Sequence, residues 1–251
     1  MNTTMRILLK TSLAVVLLAV AGCASQSGKP AATVKKPATP KEEPSFAAIL
    51  RKAGATPSAP LEGQGWKPLF DGKSLTGWDV TRFGGHGAVQ CENGLLVVNM
   101  GDALSGITWT NPIPKSNYEI ALDAMRLEGS DFYCGLTFPV GASHCSLILG
   151  GWGGTVVGIS SIDGLDASEN ETTKFIRFES ERWYRVRVRV TDAKIEAWLD
   201  HQKIGDLPLA GRKITMRFGE IELSKPLGVA TYQTTSALRE IKLRPLDAAG
   251  R

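Results

Sequence analysis

From Trp66 onward the chain alternates apolar and polar residues in short runs separated by turn residues. A period of two marks half-buried strands. The runs cover 88–91, 95–99, 117–127, 131–138, 143–149, 155–160, 174–178, 183–191, 194–200, 228–232 and 237–243. No long stretch in this region keeps a 3.6-residue period, and no unit of 20–50 residues repeats. Many strands without crossover helices predict an all-β fold, an antiparallel sandwich or barrel, and argue against a propeller or solenoid.

Three hairpins can be read, the first from its turn alone and the other two residue by residue. Glu92-Asn93-Gly94 is a tight-turn signal between 88–91 and 95–99. With Asp192-Ala193 as a two-residue turn, Val190 faces Ile195, Val188 faces Ala197 and Val186 faces Leu199 on the core side. On the other side Arg189 meets Glu196, Arg187 meets Trp198 and Arg185 meets Asp200. That second face reads either as a well-paired solvated surface or as a sugar-binding face built on Trp198 and Arg187, the latter pair joined by cation–π attraction. In the third hairpin Phe132, Cys134, Leu136 and Phe138 share one face. A turn near Pro139–Gly141 sets Cys134 opposite Cys145, which allows either a disulfide or two small buried thiols.

The N-terminal 63 residues differ in texture. Arg6 and Lys10 precede an apolar run, 13–21, too short to span a bilayer. It ends in Val20-Ala21-Gly22-Cys23, a lipobox. Residues 1–22 read as a lipoprotein signal peptide, and Cys23 as the lipid-modified residue that anchors the mature chain to a membrane. Ala24 follows, with no Asp to signal inner-membrane retention, so the outer membrane is the expected location. Residues 23–63, rich in Pro, Ala and Lys, read as a flexible tether. Within it 45–53 could form a short helix with Phe46, Ile49 and Leu50 on one side, which would either dock or stay marginal.

Charge sharpens this division. The formal net charge of +4 includes Arg6 and Lys10, and the tether carries +3 through six basic and three acidic residues. Residues 64–251 are left at −1, so the folded part has no electrostatic footprint for nucleic acid. Cys91, Cys134 and Cys145 form no CxxC pair, and His86, His144 and His201 are scattered, so no zinc site is indicated.

Three stretches carry a family resemblance. They are Trp66-Lys-Pro-Leu-Phe-Asp-Gly-Lys-Ser-Leu-Thr-Gly-Trp78, the central Gly150-Gly-Trp-Gly-Gly154 with the loop 160–172, and Gly228-Val-Ala-Thr-Tyr232 with the closing run 237–243. Residues 64–247 resemble the 3-keto-disaccharide hydrolase family, also described as 3-keto-glucoside 1,2-lyases and 3-keto-2-hydroxy-glucal hydratases. The resemblance implies a two-sheet antiparallel jelly-roll sandwich of the concanavalin A and laminin-G type. It also implies a chemistry in which a C3 ketone acidifies the C2 proton of a sugar, a base removes that proton, and the C1 substituent leaves. Typical members place a Glu and a Gln on the strand before the central loop. Here that strand reads His144-Cys-Ser-Leu-Ile-Leu-Gly150. Typical members also place an Asn after the Trp of a later strand, where Tyr184 follows Trp183.

Candidate chemistry concentrates in the central loop. Asp163, Asp166 and Glu169 are candidate acid–base groups beside Trp152, whose indole between glycines would stack on a sugar ring. Asn170 is a candidate sugar contact, and the loop oxygens would also suit Ca²⁺. A solvated acidic loop ordered by Asx turns explains the same composition. Arg126 near a strand end, with Glu128 and Asp131, is a weaker set that could stabilise an enolate. Two functions of different class therefore stand: a membrane-tethered 3-keto-glycoside lyase/hydratase, or a non-catalytic carbohydrate-binding or cell-envelope interaction module.

Overall fold

A computed structural model describes residues 44–247. The stretch read as a signal peptide, Cys23 and the first half of the expected tether lie outside the described residues. One helix, α1 (Phe46–Ala55), precedes fifteen strands. These are β1 (Lys67–Pro68), β2 (Trp78–Val80), β3 (Val89–Glu92), β4 (Leu95–Val98), β5 (Leu104–Trp109), β6 (Tyr118–Gly129), β7 (Cys134–Val140) and β8 (Ser143–Gly150). There follow β9 (Val156–Ser160), β10 (Lys174–Phe175), β11 (Tyr184–Val190), β12 (Lys194–Leu199), β13 (Gln202–Pro208), β14 (Gly228–Tyr232) and β15 (Thr234–Pro245).

The strands form two antiparallel sheets packed face to face. One has eight strands in the order β13-β12-β11-β6-β15-β4-β3, with β1 beside β15. The other has seven, β10-β9-β8-β7-β14-β5-β2. Alternation sends Ile120, Leu122, Val186, Val188 and Leu238 from the first sheet against Leu136, Leu147, Ile159 and Val229 from the second. This is the jelly-roll sandwich that the sequence pattern and the family resemblance together imply.

The β11–β12 register is the expected one: Val190 pairs Ile195, Val188 pairs Ala197, and Arg187 pairs Trp198. The Asn93-Gly94 turn also forms, both residues having left-handed φ of 52° and 80°. The β7–β8 hairpin corrects the expectation. Phe138, not Cys134, pairs Cys145, and Cys134 pairs Leu149. The turn falls at Gly141-Ala142 because Val140 pairs Ser143. Cys145's partner moves by four residues, an even number, so Cys134 and Cys145 both still face the core. All three described cysteines are free, and burial pushes the Cys134 thiol up to about 12. Phe132 also leaves the expected face. Cys134 starts the strand, and Phe132 packs on the outer side of the seven-stranded sheet with Ala230 and Ile148.

The folded unit begins before residue 64, which corrects the reading of 23–63 as one flexible segment. Ser45 caps α1, its hydroxyl accepting from Ala48 N–H at 3.3 Å. Phe46, Ile49, Leu50 and Ala53 form one stripe, and it packs on Leu95, Val97, Met125, Leu127 and Ala237 of the eight-stranded sheet's outer face. Trp183 Nε1 donates to Ala53 O at 3.2 Å. Arg239 stacks on Trp183 at 4.1 Å and donates to Ala53 O and Thr56 O at the end of the helix. Buried Asp123 holds Arg239 and Arg185, and accepts from Ser58 Oγ at 2.7 Å. A helix too short to persist alone is therefore stable because the sheet supplies its second layer.

Candidate functional site

The outer face of the seven-stranded sheet carries unusually small residues: Gly106, Gly135, Gly158 and Ala230. They let loops lie close above the strands and leave a cavity of about 490 Å³ between them. Its floor is Ser146 and Ile148 from β8, Ser160 from β9, Leu104 from β5 and Tyr232 from β14. Leu147 and Leu149 point into the core, so Ser146 and Ile148 face the cavity. The walls are Asp131 and Phe132, Trp152, and Arg217, Phe218, Glu220 and Ile221 from the segment joining β13 to β14.

Trp152 is presented by a strained turn. Gly150, Trp152, Gly153 and Gly154 all have positive φ, Trp152 at 50°. A side chain on Gly154 would meet Ser130 O at 2.5 Å, so only glycine fits there. Asp131 fastens the turn: Oδ2 accepts from Gly153 N–H at 2.8 Å and Oδ1 from Phe132 N–H at 2.7 Å. The indole remains 43% exposed. Arg217 lies 5.6 Å from its centre, within cation–π range.

The acidic loop divides into separate contacts. Asp163 pairs Arg212 at 2.7 Å and accepts from Lys213 N–H at 2.7 Å. The Lys213 N–H and then Arg212 hold its carboxyl below the usual carboxylate range. Glu171 also pairs Arg212. Asp166 accepts from Ser160 Oγ and Ser161 Oγ at 3.0 Å each and pairs Arg217 at 2.8 Å. Backbone bonds join Ser161 to Thr215 and Asp163 to Lys213. These carboxylates thus clasp the segment that carries Arg217 and Phe218. Asp166 stands one hydrogen bond behind the cavity, and Glu169 is exposed outside it. Asn170 is buried, donating to Ile159 O, Leu165 O and Asp166 O and accepting from Thr172, so it shapes the loop from within. The loop oxygens considered for Ca²⁺ do not converge. Among the described residues no three His, Cys, Asp or Glu side chains gather to hold a metal ion.

The remaining candidates lie apart from the cavity. Arg126 supports the Trp152 turn from behind, donating to Phe178 O, with Nη1 3.4 Å from the place of a Gly154 side chain. Trp198 and Arg187 stack at 3.9 Å on the outer face of the other sheet. There Arg187 also pairs buried Glu119, as do Arg189 and Arg244. Of the residues singled out in sequence as binding sugar, only Trp152 lines the cavity. Arg217, Phe218, Glu220 and Tyr232 were not legible as site residues. The usable signal was length: 209–227 joins two strands through a single short 3-10 turn, and connections this long usually carry function.

Two packed antiparallel sheets with a cavity over the outer face of one of them define a jelly-roll β-sandwich domain. Residues 65–244 match the 3-keto-alpha-glucoside-1,2-lyase-like domain, and the chain belongs to that family. Among solved structures it is similar to a putative glycosyl hydrolase from Parabacteroides distasonis, with 17% identity, 73% of this chain and 94% of that one covered, and a TM-score of 0.48. It is also similar to the carbohydrate binding module CBM66 from Bacillus subtilis, with 11% identity over 67% and 95% of the two chains and a TM-score of 0.47. The Crh5 transglycosylase in complex with NAG aligns at 11% identity over 70% and 85%, with a TM-score of 0.44. No curated protein matches.

Proposed function

We propose that the cavity binds a 3-keto-glycoside and opens its glycosidic bond by elimination, followed by hydration. The observation that carries this reading is the meeting of Trp152, Arg217 and Glu220 in one cavity of a chain from this family. Trp152 offers a flat apolar surface to a sugar ring, and Ser146 and Ser160 offer hydroxyls to its substituents. Glu220 is the base: Oε1 accepts from Gly84 N–H at 3.1 Å, and Oε2 has no protein partner among the described residues. It takes the C2 proton, and the electron pair left at C2 delocalises onto the C3 oxygen as an enolate. The Arg217 guanidinium stabilises that oxygen. The enolate then collapses to a C1=C2 double bond, the C1–O bond breaks, and the departing oxygen takes a proton. Water adds at C1 as a proton returns to C2, giving the free 3-keto sugar. Asp131, whose two oxygens hold backbone N–H groups, keeps the Trp152 turn in place.

A second reading is a non-catalytic glycan-binding module. It is favoured by β8, which brings only Ser146 and Ile148 to the cavity and no ionisable group. Incubation with a methyl 3-keto-glucoside and with 3-keto-trehalose separates the two. The first reading predicts glycal and free sugar, with Glu220→Gln lowering kcat by about 10²–10⁴-fold. Binding without turnover selects the module. Lipidation at Cys23 is part of the same proposal and places the domain at the cell envelope, on the outer membrane. Fatty-acid labelling lost in Cys23→Ser supports it, and equal labelling of both forms rejects it.

A further inference from the structure

Phe218 is the most exposed large apolar side chain among the described residues, at 94%, yet it lines the cavity. Its neighbours are all fastened. Arg217 is tied to Asp166 at 2.8 Å, Met216 packs near Phe83 and Ile221, and Glu220 accepts from Gly84 N–H. Between Phe218 and Glu220 sits Gly219 at φ 123°, a conformation that side chains rarely adopt. The backbone is therefore held on both sides of one ring that touches little, at the rim of a cavity whose indole wall is also exposed. Nothing in the fold needs an aromatic residue there, and water is a poor neighbour for one. An aromatic ring that is positioned but uncovered fits a role in which the bound molecule covers it.

We infer that Phe218 caps the sugar bound in this cavity, contributing a second aromatic surface beside Trp152 and setting specificity for ligands with an exposed apolar ring face. A pyranose suits this arrangement because its axial C–H groups form such a face while its hydroxyls reach Ser146, Ser160 and Arg217. The inference rests on the reading of the cavity as a glycoside site. It adds a residue of the 209–227 segment to that site and gives the acidic loop a task, since the loop's ion pairs fix where the ring stands.

The test uses the full-length protein with methyl 3-keto-glucoside as the probe, comparing wild type, Phe218→Ala, Phe218→Tyr and Trp152→Ala. Binding is followed by calorimetry and, where turnover occurs, by KM and kcat. Phe218→Ala is expected to weaken binding or raise KM about three- to tenfold. Its kcat should stay within about twofold, its melting temperature should not change, and Phe218→Tyr should restore affinity. If Trp152→Ala weakens binding and Phe218→Ala does not, Phe218 is no cap and the inference fails while the glycoside site stands. If neither variant changes affinity, or wild type does not bind the probe, both the site and the inference fail. A Phe218→Ala effect confined to the oligomeric state would assign the ring to contact between copies and also overturn the inference.

Discussion

On the eight-stranded sheet the outer face is covered by α1 and by paired charges, whereas on the seven-stranded sheet it carries glycines and an open cavity. The covered face uses long side chains. Arg187, Arg189 and Arg244 surround Glu119, Arg185 and Arg239 grip Asp123, and α1 lies over Leu95, Val97 and Met125. The open face uses Gly106, Gly135, Gly158 and Ala230, above which Trp152 and Phe218 remain uncovered. Both faces hold tryptophan and arginine, so composition does not distinguish them. What distinguishes them is how far the ring is covered. Arg187 lies flat on half-buried Trp198 at 3.9 Å, whereas Arg217, tied to Asp166, stands 5.6 Å from Trp152 and leaves that ring exposed.

Breaking the covered face should cost the most stability. Asp123→Ala leaves Arg185 and Arg239 without their shared carboxylate and loosens Ser58 and the end of α1. The expected loss is about 3–5 kcal/mol in denaturant unfolding, the range for a buried pair that loses one partner. A loss under about 1 kcal/mol would show that the face is held by α1's apolar stripe alone.

The interior between the faces predicts an alkaline limit. Burial raises Cys134 to about 12 and pushes Cys145, Tyr118 and Tyr133 up as well. The unfolded chain releases these protons first, from about the ordinary thiol value of 9.0. Their contribution is therefore fully present below that pH and is lost as pH rises toward 12. Melting temperatures should fall across this window. A flat profile would mean that these groups are hydrated.

The smallest expected effect is on the Arg187–Trp198 pair. A double-mutant cycle should give a coupling of about 0.5 kcal/mol or more in unfolding, with no change in sugar binding. A coupling seen in ligand affinity would move the site to this face.

Much of the sandwich is legible in the sequence because burial on one face imposes a period of two. The 186–199 hairpin is the clearest instance, where each Val faces a core partner and each Arg an outer one. Register fails where the turn is ambiguous: the Pro139–Ala142 stretch offers two turn positions that both keep Cys134 and Cys145 in the core, so alternation cannot choose between them. Helix α1 shows another limit. Its stripe is visible, but its stability comes from Leu95, Met125 and Ala237, which are brought beneath it by long-range pairing. The site is harder still. Trp152 announces itself by the glycines around it, while the carboxylates nearest in sequence bind Arg212 and Arg217 instead of facing the cavity. Arg217, Phe218 and Glu220 lie more than sixty positions after Trp152, in a segment without periodicity, and only the sheet unites them.

The most direct measurement is a titration of the indole Nε1–H signals by two-dimensional NMR with methyl 3-keto-glucoside, using Trp152→Phe to assign the site signal. The account predicts that the Trp152 signal shifts, together with the amides of Gly153, Ser160 and Tyr232, while Trp198 and Trp66 stay fixed. Movement of Trp198 with Trp152 unchanged would contradict it and place the sugar on the eight-stranded sheet.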